Sequence, residues 1–264
     1  NYSITITMGS WTRNGTGVFN QRQGTVDFAI PDLSVYSTIT GQTTFYYLIF
    51  SGITRGWDIS DDLIVEKDLT ITNTRAGGTP WLDAAVSETH TISVAGNVAH
   101  SGTIDMGAGL TIVMNGTGTQ TLSTSNTGKI GSLKISNTLG EVQLGSALLT
   151  AGDITVDANT IFDLKTYGIT GTAGKSFANN GTIQLEGDQS FSNATPTNNA
   201  GSTVEYTATS STRAIKDWTY KSLKINGANG TFTMGAGEVL GENLTVTAGT
   251  FDVNDQTLAI NGIT

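Results

Sequence analysis

No cysteine occurs anywhere in the 264 residues. That excludes disulfides, thiolate nucleophiles and cysteine metal sites together. Proline is confined to Pro31, Pro80 and Pro196, and only 13% of residues are charged, about half the usual share. The 13 Lys and Arg are scattered singly against 22 Asp and Glu, for a formal net charge of −9. Nucleic-acid binders need clustered cations, so no nucleic-acid partner is expected. No stretch of about 18 apolar residues occurs, so no membrane span is expected in this segment. The chain opens Asn1-Tyr2-Ser3-Ile4 without Met or a charged leader, which reads as a mature product or a fragment.

What is present is glycine, at 33 residues, with abundant Thr, Ser and Asn and 37% hydrophobic residues. The hydrophobic residues are regularly spaced, which argues for a packed core instead of disorder. Leu48 and Leu69, Leu133 and Ile154, and Leu223 and Leu244 are each 21 residues apart. Trp57-Asp58-Ile59, Val142-Gln143-Leu144 and Phe232-Thr233-Met234 sit at one fixed offset between those anchors. Gapless repetition interrupted by variable inserts is the signature of a repeat architecture. Repeats fall near 24–72, 109–164 and 201–253, with a partial copy in 1–23, and residues 1–264 form a single domain.

Within the repeats, apolar and hydroxyl residues alternate, as in Leu69-Thr70-Ile71, Ile154-Thr155-Val156 and Leu244-Thr245-Val246. Period two marks strands with one buried face, and Thr suits the exposed pleat. Ile4-Thr5-Ile6 continues the alignment at the N-terminal end. In a second strand type, Ile49, Lys134 and Lys224 point outward between inward Leu and Phe or Ile. Turns such as Ser51-Gly52 and Asn226-Gly227 follow. The best helical candidate, Trp81 to Val86, has room for one or two turns, or for a loop bulging from the repeat. The fold expected is therefore all-β, a parallel β-helix of about a dozen coils and roughly 55 Å long. Tandem β-sandwich modules are the alternative.

The strings GTVDF, STITGQTTFYYLIFSG and WDISDDLIVEKDLTIT, echoed later by GSTVEYTATSSTRAIKDWTYKSLKINGANGTFTMGAGEVLGENLTVTAGTFDV, resemble repeats of large bacterial β-helix proteins. These are the filamentous-haemagglutinin-like adhesins and related repeat-rich cell-surface proteins. The resemblance implies a right-handed β-helix, a location outside the cell or on its surface, and an adhesive or scaffolding role. It carries over no catalytic residue.

Candidate sites are few. Asp58, Asp61 and Asp62 supply clustered carboxylates of the kind that hold Ca²⁺, but no calcium-binding loop pattern accompanies them, and exposed turn acids are the simpler reading. Asp58, Asp61, Asp105, Glu186, Asp188 and Glu205 could furnish a carboxylate pair for glycan cleavage, although no subsite platform surrounds them. His90 and His100 lie in an insert and are expected in solvent-facing loops. Tyr47, Trp218 and Tyr220 are possible sugar contacts, whereas Trp11 and Trp57 belong inside. Asn-x-Ser/Thr triplets at Asn14, Asn115, Asn180, Asn193, Asn229 and Asn243 are what chance gives in so Asn- and Thr-rich a chain.

No cofactor is expected, and the chain reads as a non-enzyme. The leading expectation is an extracellular β-helical rod acting as a filament subunit or surface scaffold. Its partners would be copies of itself stacked head to tail, or other cell-surface components, with Ile4, Ile6, Trp11, Leu258 and Ile260 at the joints. A stalk or adhesin segment binding host or glycan surfaces is one alternative; a polysaccharide-degrading, tailspike-like β-helix is the other.

Overall fold

The computed structural model describes residues 2–7, 9–15, 17–29, 36–52, 56–72, 82–85, 87–103, 105–125 and 127–262. Strands pair throughout in parallel with a later or earlier turn of the chain. An antiparallel sandwich is thereby excluded, and the fold is a β-solenoid of about 11 turns. Among the described residues there is no helix, and hence none long and apolar enough to cross a membrane. Residues 82–84, part of the helical candidate, form the strand Leu82–Ala84, which pairs in register with Trp57 to Ile59. Trp81 and Val86 lie outside the described residues.

Three faces enclose the core. The first is a 13-stranded sheet running from Ser3–Ile6 through Tyr47–Phe50, Leu69–Ile71 and Ser222–Thr233 to Leu244–Asp252. The second has eight strands, from Thr43–Phe45 to Thr197–Asn198. The third is interrupted. A four-stranded group ends at Leu82–Ala84 and a three-stranded group spans Leu148–Leu149 to Phe191–Ser192, while Glu238–Leu240 pairs with Leu258–Ile260 at the place in the last coils that the second face takes in earlier ones. Single bridges at Leu82–Met106 and Ile130–Thr150 fill the intervals, and a Tyr220–Leu240 bridge precedes the pair of the last coils.

The 21-residue step is one coil. Leu48 lies in register with Leu69, Leu133 with Ile154, and Leu223 with Leu244. The three repeat copies do not, however, occupy equivalent positions. Leu48 and Leu223 stand on the first face, whereas Leu133 stands on the second. Every face obeys the same inward–outward alternation, so a gapless alignment preserves coil length without fixing the face. Coils also vary, from 19 residues between Val204 and Leu223 to 29 between Leu69 and Val98.

Inward side chains stack into ladders that fill the interior. Val26, Leu48, Leu69 and Val98 form one column and Phe28, Phe50 and Ile71 the next, all at most 1% exposed. Each such side chain removed from water contributes about 1.5–3 kcal/mol. Phe28 and Phe50 stack with centroids 5.5 Å apart, and Trp57 meets Phe28 edge-on at 4.8 Å. At the turns, asparagines accept the left-handed backbone: Asn159, Asn193, Asn229 and Asn254 all have positive φ. Gly249, at φ 88°, is further constrained, because a Cβ there would lie 2.3 Å from the Gly227 carbonyl oxygen.

Candidate functional site

The two end coils differ from the rest of the rod. At the N-terminal end, Ile4 and Ile6 continue the first-face ladder onto Val26 and Phe28. Trp11 packs at 5.0 Å from Phe19 and 5.7 Å from Phe45. All three inward side chains are only partly buried, because no further coil covers them among the described residues. At the other end Leu244 and Val246 occupy the same first face, on Leu223 and Ile225. Val246 and Ile260 are each 49% exposed, and Leu258 is half-buried. The five residues expected at joints therefore all lie on end coils.

The three carboxylates of the Ca²⁺ candidate do not converge. Asp61 accepts a hydrogen bond from the Gly41 amide at 2.6 Å, and Asp62 from the Thr91 amide at 2.7 Å. Asp58 instead lies in register with Asp83 on the third face. Burial raises the carboxyl pKa of both, and at Asp83 the charge of Asp58 adds to the rise. Among the described residues no three His, Asp or Glu side chains converge as a metal site. Asp61 and Asp62 are tied to backbone amides of adjacent coils, which is how an acid at a turn locks neighbouring coils together.

Three of the glycan-cleavage candidates, Asp105, Asp188 and Glu205, each lie against a cation. Asp188 binds Arg213 at 2.5 Å and Asp105 faces Lys129 at 4.0 Å. Glu205 is only 4% exposed and faces outward on the first face, hemmed in by neighbours. Gln184 and Asn226 donate to it at 2.9 and 2.7 Å, and the Lys224 ammonium lies 3.0 Å away. Burial alone would raise its pKa; those three hydrogen bonds outweigh it and hold the carboxyl below its ordinary value.

Two further expectations are corrected. His90 lies in the strand His90–Val94, half-buried, with Nε2 2.8 Å from the Glu88 carboxylate. His100 ends the strand Val98–His100 at 1% exposure, continuing the ladder of Phe50 and Ile71. Neither is a loop residue. Trp218 and Tyr220 are buried, at 9% and 0% exposure, and cannot meet a sugar face-on. They are two residues apart and share the inward phase, and Tyr220 finds its polar partners inside the protein. The Tyr220 hydroxyl donates to the Lys216 carbonyl, and the Lys216 amide donates to Tyr206 at 2.7 Å. The Tyr206 hydroxyl is thereby left to donate to Tyr220, 3.0 Å away. Only Tyr47, which packs edge-on against Tyr46 at 4.9 Å, stays half-exposed.

An amide ladder runs through the second face. The Asn179 Nδ2 donates to Asn198 Oδ1 at 2.8 Å, and Asn198 Nδ2 donates to the Thr219 carbonyl at 2.9 Å. Both residues are buried and in register, so each coil satisfies the polar groups of the next.

Sequence reasoning missed Glu238. The segment just before each first-face strand belongs to the second face, and Glu238–Leu240 holds that place before Leu244 as Thr197–Asn198 does before Thr203; the Trp218 ring lies 4.8 Å from Phe191. The Tyr220–Leu240 bridge places Trp218 level with Glu238, and Glu238 in turn pairs with Leu258. A carboxyl thus stands between two apolar neighbours, Trp218 in the coil before and Leu258 in the coil after. It is 5% exposed, and no described side chain or amide donates to it. Burial, and then the charge of Asp217, push its pKa up to about 7. A cleft of about 260 Å³, lined by Asp217, Trp218, Thr219, Gly237, Glu238 and Val239, opens beside it. The signal available in the sequence was the alternation of Glu238 with Leu240, which puts both on one side of the strand.

No family model, curated protein or solved structure matches the chain.

Proposed function

We propose that this chain is a non-enzymatic structural rod of the cell exterior that lengthens by end-to-end stacking of its coils. The observation that supports it best is the matched chemistry of the two end coils. Ile4 and Ile6 at one end and Leu244 and Val246 at the other lie on the same face, in the same inward phase. A second copy seated on the Leu244–Asp252 strand can continue both the hydrogen-bond ladder and the apolar column. Such a contact is heterologous and does not close, so its product is a filament. An unpaired strand edge is the ordinary driver of such pairing.

The remaining features agree with a scaffold. Most acids previously open to a catalytic reading are committed to neighbouring coils, and the polar interior serves cohesion. An exterior location rests on the resemblance to repeat-rich surface proteins. The reading is tested by substituting a lysine into the joint. Val246→Lys and Ile4→Lys place a charge where the next coil would sit, so each should block lengthening while preserving the strand signature by circular dichroism. Filaments of normal length from both variants would contradict it.

A further inference from the structure

Glu205 and Glu238 are both buried glutamates, and they differ in one respect that matters. Glu205 is surrounded by Gln184, Lys224 and Asn226, three donors that compensate its charge. Glu238 is equally buried, faces the cleft, and has no donor among the described residues. The Glu238 oxygens reach solvent only through that cleft, and a carboxyl so withdrawn from water, with no protein donor to compensate it, is costly to ionise. Nothing in the ladder requires it, since Leu258 in the next coil shows that an apolar side chain fits that column. Positions where a sequence breaks its own local rule are commonly sites of function.

We propose that the cleft between Trp218 and Glu238 is a binding site for a primary alkylammonium group, of the kind carried by a lysine side chain or an aliphatic amine. A cation that donates hydrogen bonds is the partner that suits Glu238 in this cleft. Asp217, exposed at the rim of the same cleft, supplies a second negative charge. The Trp218 indole lines the wall, and an aromatic face attracts a cation passing over it. Val239, 54% exposed, gives the alkyl chain an apolar contact at the mouth. A divalent metal fits poorly: Ca²⁺ takes six to eight oxygen ligands, and no three acidic or histidine side chains converge among the described residues. Burial lowers the pKa of Lys216, the nearest cation in sequence to Asp217, and the charge of Asp188 partly offsets that. Binding would draw the Glu238 proton off, so it should tighten as pH rises through 7.

The test is a titration of the whole chain with n-butylammonium chloride at pH 8, followed by NMR on the tryptophan indole N–H signals, of which the chain has four. The expected result is a saturable shift of the Trp218 signal, at least tenfold weaker in apparent affinity for the isosteric Glu238→Gln protein and several-fold weaker for Asp217→Asn. Asp217 is exposed, so Asp217→Asn keeps the test open if Glu238→Gln does not fold. A shift that does not saturate, or equal affinity in the parent and the folded variants, overturns the proposal. So does saturation by CaCl₂, guanidinium chloride or n-butanol at concentrations below those n-butylammonium needs. Filament formation is read separately, so either result leaves the stacking proposal to its own test.

Discussion

Among the described carboxyls, Glu238 is the one whose pKa is displaced furthest from its ordinary value. Its folded-state pKa of about 7 lies above its ordinary value of 4.5, because burial and the Asp217 charge favour the neutral form. Tyr206 and Tyr220 face it and stay neutral, their own pKa values raised by burial. The folded chain therefore keeps a proton that the unfolded chain has lost between about pH 4.5 and 7. Stability from this group is fully present below pH 4.5, falls as pH rises through that window, and is level above it. Glu238→Gln removes the titration at constant volume. Without added cation, its C-terminal coils should be more stable than the parent's at pH 8, by on the order of 2 kcal/mol, and closely similar at pH 4. Amide exchange of residues 238–260 measures this; an equal difference at both pH values would contradict it.

The amide pair behaves oppositely, since its groups are satisfied. Asn198→Ala strips Asn179 of its nearer acceptor, leaving the Thr203 carbonyl at 3.4 Å, and the Thr219 carbonyl of its donor inside the protein. A loss of about 1–3 kcal/mol is expected, measured by urea unfolding against the parent. No loss would mean that the ladder is not cohesive.

At the scale of the element, the coil is the unit of stability. Leu223 is buried between Val204 and Leu244, so Leu223→Ala should cost about 3 kcal/mol through the cavity it leaves. Leu223→Asp should cost more, as an unpaired buried charge. Because each coil touches mainly its neighbours, exchange protection should fall first in strands on either side of residue 223 and little near Leu48. Uniform loss along the rod would count against this.

Much at this scale is legible in the sequence. Leu69-Thr70-Ile71 and its relatives gave the strands, and their 21-residue step gave the coil. Which face each copy occupies was not legible: Leu133 reads like Leu48 because alternation and coil length are common to all faces. Residues 82–84 were misread for a related reason. Leu82-Asp83-Ala84 has no strong β propensity, and its strand is imposed by pairing with Trp57 to Ile59. The site was legible only in part. Individual acids are visible in a sequence, but whether a neighbouring coil supplies a donor, as for Glu205, or withholds one, as for Glu238, depends on contacts about 20 residues away.

For the whole molecule, the central claim is that coil stacking continues from one copy to the next. Joining two first-face strands would form a few backbone hydrogen bonds at about 1 kcal/mol net each. Burying Ile4, Ile6 and Trp11 would add about 25 cal/mol per Å² of apolar surface. Together these can offset much of the association entropy. The rod carries a net charge of −9, which opposes association generally, so lengthening should be stronger at 0.5 M salt than at 10 mM. The direct measurement is negative-stain electron microscopy of the purified chain over a hundredfold concentration range, beside a chain lacking residues 1–11. Straight filaments that lengthen with concentration in the intact chain, and single rods of about 50 Å in the shortened one, are the predicted result. Single rods from the intact chain at every concentration, or equal filaments from both, would contradict it.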